Sequence, residues 1–342
     1  MAQKINVLGI DIAKLVFHIV GMDDTGHVVL RKRITRGELL HFIAMLPPGL
    51  MGMEACGSAH YWARRFREHG HEVRLIAPQF VRAYVKAPKN DTRDAEAICE
   101  AVTRPTMRFV PIKQLAQQDI QALHRVRARL IKARTALVNE IRGLLSEYGI
   151  VLPQGMTTFR TSIVRQLEDA QAKLTSLSTE VFWHLYEEFV ALEKRVAYYD
   201  EKLRVLARAH PVCQRGQAIP GVGPLTATAI LAAVPEATHV TNGRQWAAWL
   251  GLVPCEHSTG GTPRLLGMSK RGEVYLRKRF VHGARATLRW VDTKQDDRSQ
   301  WLKALIARRG KNRAAVAFAH KNARIVWALL AHTQEYRVRT IG

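Results

Sequence analysis

The sequence has few cysteines, few acidic residues and no long apolar run. Its four cysteines are widely separated in 342 residues and form no CxxC pair, which argues against a disulfide framework and against a zinc ribbon. No apolar stretch approaches the roughly 18–20 residues that a membrane helix needs. The first residues lack the pattern of a cleavable signal segment. We therefore expect a protein of the reducing cytoplasm with no membrane partner.

Acidic residues are too few to balance the basic ones. The chain has 52 Lys and Arg against 29 Asp and Glu, a formal net charge of +23, and residues 211–342 carry +14 of it. A composition with 47% hydrophobic residues is that of a folded protein rather than a disordered basic tail. The positive electrostatic field that this charge creates favours a polyanionic partner, above all nucleic acid. We therefore also expect the protein to associate with the nucleoid.

Hydrophobic patterning over the first hundred residues alternates between strands and helices. The predicted strands are 5–11, 17–22, 28–34, 50–54 and 72–76, and the predicted helices are 37–46, 61–69 and one that begins at residue 91. Three antiparallel strands followed by alternating helix and strand is the element order of a ribonuclease H-like α/β domain, also called RuvC-like. We predict this domain for residues 1–108, in a chain whose overall class is α/β plus α.

Four acidic residues occupy notable positions in this predicted domain. Asp11 and Glu54 each end a core strand, where a carboxylate is costly to desolvate unless a cation or a partner neutralises it. Asp91 and Asp94 are three residues apart, which places both on one face of the following helix. Together the four could hold Mg²⁺ or Mn²⁺ for in-line phosphoryl chemistry. The alternative is that Asp91 or Asp94 only caps its helix.

The middle of the chain, residues 109–210, is predicted to be a helical coiled-coil arm. Leucines recur every seven residues from Leu123 to Leu144, and apolar residues from Leu185 to Leu206 alternate steps of four and three. Such spacing is typical of a heptad seam. The two helices either pair with each other in antiparallel fashion or each meets its copy in another subunit.

The last part, residues 211–342, is predicted to be mostly helical and begins with a glycine motif. The run Ile-Pro-Gly-Val-Gly at 219–223 matches a helix-hairpin-helix pattern. In that pattern Gly221 and Gly223 would allow a tight turn and leave backbone N–H groups free to bind a phosphate without reading sequence. An ordinary tight turn between helices is the alternative.

A glycine-rich loop near residue 260 carries a candidate nucleophile. Ser258 lies in the run Cys-Glu-His-Ser-Thr-Gly-Gly-Thr-Pro-Arg at 255–264. A serine is intrinsically a weak nucleophile, and nearby cations would stabilise charge that develops on a phosphodiester. The alternative is a loop without catalytic function. The candidate nucleic-acid contacts in and after the loop are Arg264, Lys270, Arg271, Arg277, Lys278 and Arg279.

These motifs, taken together, resemble one family over nearly the whole chain. The segments that carry the resemblance are 9–14, 53–58, 89–95, 219–223 and 251–272. The chain is similar to the DEDD transposases of insertion sequences, which are RNA-guided serine recombinases. The resemblance implies a transposase, or site-specific recombinase, that cuts and rejoins DNA strands.

The resemblance also implies roles for individual residues and partners. Asp11, Glu54, Asp91 and Asp94 match the four metal-binding acids, and Ser258 matches the nucleophile that forms a covalent phosphoserine link to DNA. In the family the acids and the serine form a composite site to which subunits contribute in trans. A structured guide RNA, the bridge RNA, pairs with donor and target DNA, and dimers assemble into tetramers.

The chain departs from the family pattern at two places in the serine loop. Family loops often carry two serines where this chain has Ser258 and Thr259, so either hydroxyl is a candidate, and the spacing to residues 268–270 favours Ser258. No lysine follows the two glycines, and Arg264 is the candidate for that charge. Two other functions stay open: a Holliday-junction-type endonuclease that uses only the acids, and a nucleic-acid-binding protein without enzymatic activity.

Overall fold

The chain forms two compact units. In the computed structural model they comprise residues 1–114 and 115–342, and the structure describes residues 4–85, 91–234, 240–332 and 335–336. Lys89 and Asn90, part of the 89–95 motif, lie outside the described residues. Both the arm helices and the C-terminal helices fall in the second unit, and the division of the chain at residues 108 and 210 stays a prediction.

The first unit is built on a six-stranded mixed sheet. Its strands are β1 (Val7–Ile12), β2 (Val16–Met22), β3 (Val28–Thr35), β4 (Leu50–Glu54), β5 (Glu72–Ile76) and β6 (Phe109–Val110), in the order β3-β2-β1-β4-β5-β6. The first three strands are antiparallel, and β4 and β5 continue the sheet parallel to β1. The mixed α/β class is thus confirmed, with the element order predicted for a ribonuclease H-like domain.

Helices cover both faces of this sheet. They are α1 (Leu39–Ala44), α2 (Ala59–Glu68), α3 (Pro78–Val81) and α4 (Asp91–Val102). Phe17 of β2 packs with Trp62 and Phe66 of α2 in one hydrophobic cluster. Ile98 and its neighbours on α4 belong to a second cluster. The central strands are therefore buried on two sides, as their continuous apolar runs require, whereas Arg31, Lys32 and Arg33 of the edge strand β3 are exposed.

Two glycines determine how closely α4 approaches the sheet. Gly9 of β1 and Gly52 of β4 are direct partners in the parallel register. A Cβ at Gly9 would lie 2.2 Å from the backbone oxygen of Ala95, and one at Gly52 would lie 2.8 Å from Cγ2 of Ile98. No side chain fits in either space, so the absence of a side chain at both positions lets the helix backbone lie against the strands.

The second unit contains the arm and a mostly helical C-terminal part. The arm consists of α5 (Leu115–Glu147), α6 (Met156–Asp169) and α7 (Ser176–Ala209); the C-terminal part consists of α8 (Pro211–Gln217), α9 (Pro224–Ala233), α10 (Gly243–Trp249), the strands β7 (Pro254–Glu256) and β8 (Leu265–Met268), α11 (Val274–Leu288), α12 (Asp297–Arg309) and α13 (Lys311–His332). None of the helices described combines the length and the apolar composition that a membrane crossing requires.

The two long arm helices pack against each other within the chain. Leu130 and Leu137 of α5 share a hydrophobic cluster with Phe189, Leu192 and Val196 of α7. Ion pairs join Arg127 to Asp200 and Arg134 to Glu193. Because the residue number rises along α5 as it falls along α7, the pair is antiparallel, which was one of the two arrangements that the heptad pattern left open.

A buried histidine joins three helices of the second unit. His124 of α5 is 3% exposed, and its Nδ1 lies 2.8 Å from the hydroxyl of Tyr275 on α11 while its Nε2 lies 3.0 Å from Oγ1 of Thr228 on α9. The Thr228 hydroxyl already donates to the Pro224 carbonyl. The neutral imidazole therefore donates from Nε2 and accepts from Tyr275 at Nδ1.

This arrangement predicts a pH-dependent contribution to stability. Burial, with the charges of Arg279 and Arg127, lowers the pKa of His124 from 6.5 to about 4. Between these values the unfolded chain binds the proton that the folded chain rejects, so stability falls as the pH drops from about 6.5 towards 4, by about 3 kcal/mol in full. Urea denaturation at pH 7.5 and 5 measures the loss, which should shrink in His124→Gln.

The exposed His184 of α7 provides the matched control. His184→Gln should retain the pH dependence of the unmodified chain. An equal dependence in the unmodified chain and in His124→Gln would contradict the prediction.

A candidate metal centre and a candidate nucleophile

Three carboxylates converge at one edge of the first unit. Asp11 lies near the end of β1, and Asp91 and Asp94 lie in the first turn of α4. One oxygen from each carboxylate lies within 4.8 Å of the others. The close approach of α4 to β1 at Gly9 brings these residues together, although they are eighty positions apart in sequence.

Glu54 lies next to this group. It ends β4, the strand that pairs with β1 through Ile10 and Met53. Its charge is one of those that raise the pKa of Asp11. The four acids predicted from the sequence thus divide into a cluster of three and a neighbour on the adjacent strand.

The electrostatics of the cluster favour a bound cation. Burial, together with the charges of Asp94, Asp91 and Glu54, raises the pKa of Asp11 from 3.8 to about 6. Several carboxylates so close together destabilise one another's ionised forms unless a positive charge neutralises them. Oxygen donors of this kind are the ligands that Mg²⁺ and similar hard cations prefer. The residues present therefore fit a divalent metal.

Two further residues adjoin the cluster that the sequence alone did not suggest. His18 of β2 is the direct cross-strand partner of Asp11, and its Nδ1 lies 3.6 Å from Oδ2 of Asp91. Cys56 follows Glu54, and the pKa of its thiol is raised by burial and by the charges of Glu54 and Asp11. At 3.6 Å the contact between His18 and Asp91 is electrostatic rather than a hydrogen bond.

The predicted serine lies on a β-hairpin of the second unit. Strands β7 and β8 are antiparallel, and Thr259 and Thr262 form a further bridge beyond them. Gly260 and Gly261, with φ of +58° and +76°, occupy the two central positions of the turn. Positive φ at both positions is the signature of a type I′ turn, which glycine adopts without strain.

The Ser258 hydroxyl has two defined partners on this hairpin. It donates to Oε1 of Glu256 at 2.7 Å and accepts from the backbone N–H of Arg264 at 3.2 Å. Ser258 is exposed. Thr259 directly follows Ser258 and forms the bridge with Thr262, and among the described residues its hydroxyl takes part in no side-chain hydrogen bond.

The predicted nucleic-acid contacts differ in their exposure. Arg264, Lys270, Arg271 and Lys278 are exposed. Arg279 is half-buried, and its guanidinium lies 4.8 Å from the centre of the Tyr275 ring.

Arg277, by contrast, is 8% exposed. Its Nη1 donates to the carbonyls of Leu250 and Arg271 at 3.0 and 3.3 Å. These bonds tie the loop after α10 to the segment before α11. The Arg277 guanidinium thus forms its hydrogen bonds within the protein, and its buried position favours a structural role over a phosphate contact.

The predicted glycine motif lies in the turn between α8 and α9. Gly221 has a φ of +90°, and its backbone is in close contact with Gly283 of α11. Gly223 is exposed and immediately precedes α9, which begins at Pro224. A helix start of this kind leaves N–H groups without intrahelical partners.

Profiles of known protein families match segments in both units of the chain. A transposase profile, that of the DEDD type of IS110 elements, matches residues 8–150. The profile of the transposase IS116/IS110/IS902 family matches residues 213–301. The first match includes the acidic cluster, and the second includes the hairpin with Ser258.

Individual relatives extend the likeness over almost the full chain. A probable family 20 transposase of Pseudomonas aeruginosa is 49% identical over 336 residues, which cover 98% of this chain and 99% of the relative. The transposase for insertion sequence element IS1111A of Coxiella burnetii is 48% identical, with 98% and 92% covered. The transposase for IS1328 of Yersinia enterocolitica is 36% identical, with 95% and 97% covered. The chain therefore belongs to the IS116/IS110/IS902 family of insertion-sequence transposases.

Proposed function

We propose that this transposase cuts and rejoins DNA strands through a covalent phosphoserine at Ser258. The observation that carries the proposal is the exposed Ser258 hydroxyl, which the hairpin holds between a carboxylate and a backbone N–H. Attack of Oγ on a phosphodiester would conserve the energy of the broken bond in the serine ester. That energy is then available for rejoining without an external source.

The acidic residues are proposed to hold the metal for this reaction. Asp11, Asp91 and Asp94 would be its ligands, with Glu54 beside them. A bound Mg²⁺ or Mn²⁺ would supply neutralisation of charge on phosphoryl oxygens. His18, 3.6 Å from Asp91, would keep that carboxylate directed into the cluster.

The exposed basic residues are proposed to bind the DNA backbone. Arg264 lies on the same hairpin as Ser258, and Lys270, Arg271 and Lys278 follow it along the chain. Their contacts would be mainly with phosphates and would position the strand rather than read its sequence. The exposed Gly223 turn would add backbone N–H groups, as in a helix-hairpin-helix.

The DNA sequences to be cut would then be selected by another molecule that pairs with them. We propose donor and target DNA as substrates, a structured guide RNA that pairs with both, and dimers that assemble into tetramers. The net charge of +23 supports binding of two nucleic acids at once, since it exceeds what one short duplex contact requires.

Loss of the protein–DNA adduct in Ser258→Ala tests the proposal. The unmodified protein, incubated with its element's DNA ends, Mg²⁺ and the RNA that co-purifies with it, should form an adduct that survives denaturing electrophoresis. Ser258→Ala should lower adduct formation by on the order of 10³-fold or more, because no other hydroxyl has the same two partners.

Thr259→Ala is the matched control, since it removes the neighbouring hydroxyl of the same hairpin. It should still form the adduct. Strand cleavage without an adduct, retained in Ser258→Ala, would instead indicate a metal-dependent endonuclease. An adduct that persists in Ser258→Ala and disappears in Thr259→Ala would move the nucleophile to Thr259.

A further inference from the structure

We infer that Glu256 is the general base that takes the proton of Ser258 during attack on DNA. The inference rests on the proposed function, because it concerns the same hydroxyl. Glu256 ends β7, and its carboxylate accepts the Ser258 hydroxyl proton at 2.7 Å. This contact joins the base to the reacting atom itself, at the distance that proton transfer requires.

The hairpin fixes this contact through its geometry. Glu256 is the last residue of β7, and Ser258 lies two residues further on, between this strand end and the bridge of Thr259 with Thr262. The pairing of Glu256 with Leu265 and the bond from His257 N–H to the Arg264 carbonyl at 2.9 Å hold the two strands together here. The contact between Glu256 and Ser258 therefore lies within the paired part of the hairpin.

The second partner of Ser258 complements the first. The Arg264 N–H donates to Oγ at 3.2 Å and would stabilise negative charge as it develops on that oxygen. A hydroxyl oxygen has two lone pairs. One accepts from Arg264, and the hydrogen is directed to Glu256, so the remaining lone pair is free to attack phosphorus.

The proton balance of the step is complete. Oγ forms a bond to phosphorus, the bond from phosphorus to the leaving sugar oxygen breaks, and the Ser258 proton moves to the Glu256 carboxylate. The leaving oxygen takes a proton from solvent water and becomes a hydroxyl. In rejoining, a DNA hydroxyl attacks the phosphoserine and loses its proton to solvent, while Glu256 returns its proton to the departing Oγ.

The sequence motif alone did not suggest this role. Glu256 is one of seven acidic residues among the 28 charged side chains after residue 210, and its exposure is that of an ordinary surface residue. Among the acidic residues that the structure describes in this part of the chain, its hydrogen bond to Ser258 distinguishes Glu256 from the others.

Glu256→Gln tests the inference, since it keeps the size of the side chain and a carbonyl acceptor but removes the base. Adduct formation with the element's DNA ends at pH 7 should slow by roughly 10²- to 10⁴-fold. The deficit should shrink about tenfold for each pH unit between 7 and 9, because hydroxide replaces the missing base. A deficit that is the same at every pH would indicate a positioning role and overturn the inference.

Ser258→Cys supplies a second test, because a thiol ionises near neutral pH without help. In that background, Glu256→Gln should change adduct formation by less than about threefold. An additional loss as large as that in the serine protein would contradict the general-base role. Should the cysteine protein form no adduct, the pH series of Glu256→Gln decides alone.

Asp292→Asn, which removes another exposed carboxylate of the same unit, is the control and should behave as the unmodified protein does. If the unmodified protein itself forms no adduct, the proposed function fails and this inference fails with it. If the unmodified protein forms the adduct and Glu256→Gln forms it equally fast, only the inference fails.

Discussion

Asp11→Asn is expected to stabilise the metal-free protein while it removes the response to metal. The pKa of Asp11 is raised from 3.8 to about 6 because of burial and the charges of Asp94, Asp91 and Glu54. Its ionised form therefore opposes folding at pH 7.5. Replacement by a neutral amide should raise the free energy of unfolding by about 2 kcal/mol in the presence of a chelator.

The sign of the pH dependence follows from the same shift. Because the folded chain binds this proton more tightly than the unfolded chain does, the Asp11 contribution favours folding increasingly as the pH falls from about 6 to 3.8. Asp11→Asn should lack this component. Urea denaturation of both proteins at pH 7.5, 6 and 5 measures it, with Asp24→Asn, in an exposed turn, as the matched control.

Metal addition supplies the second half of the experiment. A ligand at a hundred times its dissociation constant stabilises the folded state by about 2.7 kcal/mol, so Mn²⁺ should raise the melting temperature of the unmodified protein and of Asp24→Asn. The melting temperature of Asp11→Asn should change little on addition of Mn²⁺, and this variant should not cut and rejoin DNA strands. Equal stabilisation of all three proteins by Mn²⁺ would remove Asp11 from the metal site.

Gly9→Ala is expected to damage both the core and the acidic cluster. A Cβ at this position would lie 2.2 Å from the Ala95 oxygen and 2.7 Å from Sγ of Cys99. The nearer atom belongs to the backbone, so α4 as a whole has to move. Overpacking of this kind costs roughly 1–3 kcal/mol or more, and the shift would carry Asp91 and Asp94 away from Asp11.

The expected outcome is thus a joint loss of stability and of Mn²⁺ affinity, measured by urea denaturation and by metal titration. Gly37→Ala is the control, because a Cβ there meets no atom within 4 Å, and it should change stability by less than about 0.5 kcal/mol. Unchanged Mn²⁺ affinity in Gly9→Ala would show that the cluster does not depend on the contact between α4 and β1.

Much of the first unit could be predicted because its strands have strong and uniform patterns. The predicted strands 50–54 and 72–76 coincide with β4 and β5, and the other three differ from β1–β3 by one or two residues at their ends. The acids were found for the same reason, since each ends a buried strand or begins a helix. The short β6 and the hairpin of β7 and β8 were missed because two to four residues carry too little periodicity.

Other features depend on pairing and burial that composition does not reveal. His18 reaches the cluster only because the register of β1 and β2 places it opposite Asp11. Arg277 counts as a basic residue in the sequence, yet it is buried and bonded to two carbonyls. The heptads predicted the helices of the arm, but the antiparallel pairing of α5 with α7 follows only from their contacts, which are the ion pairs and the shared hydrophobic cluster. The oligomeric state stays a prediction.

The ion pairs of the arm also act against misalignment during folding. Leucines repeated every seven residues would fit almost as well if α7 slipped along α5 by one heptad. In the slipped alignment Arg134 would face Asp200, but Arg127 would face Ala207 and Glu193 would face Ile141. The nearly buried Arg127 would lose its partner, at a cost of about 3–5 kcal/mol, and Glu193 would keep only its second ion pair, to Arg160 of α6. The charges thus select one register among several that the apolar seam alone permits.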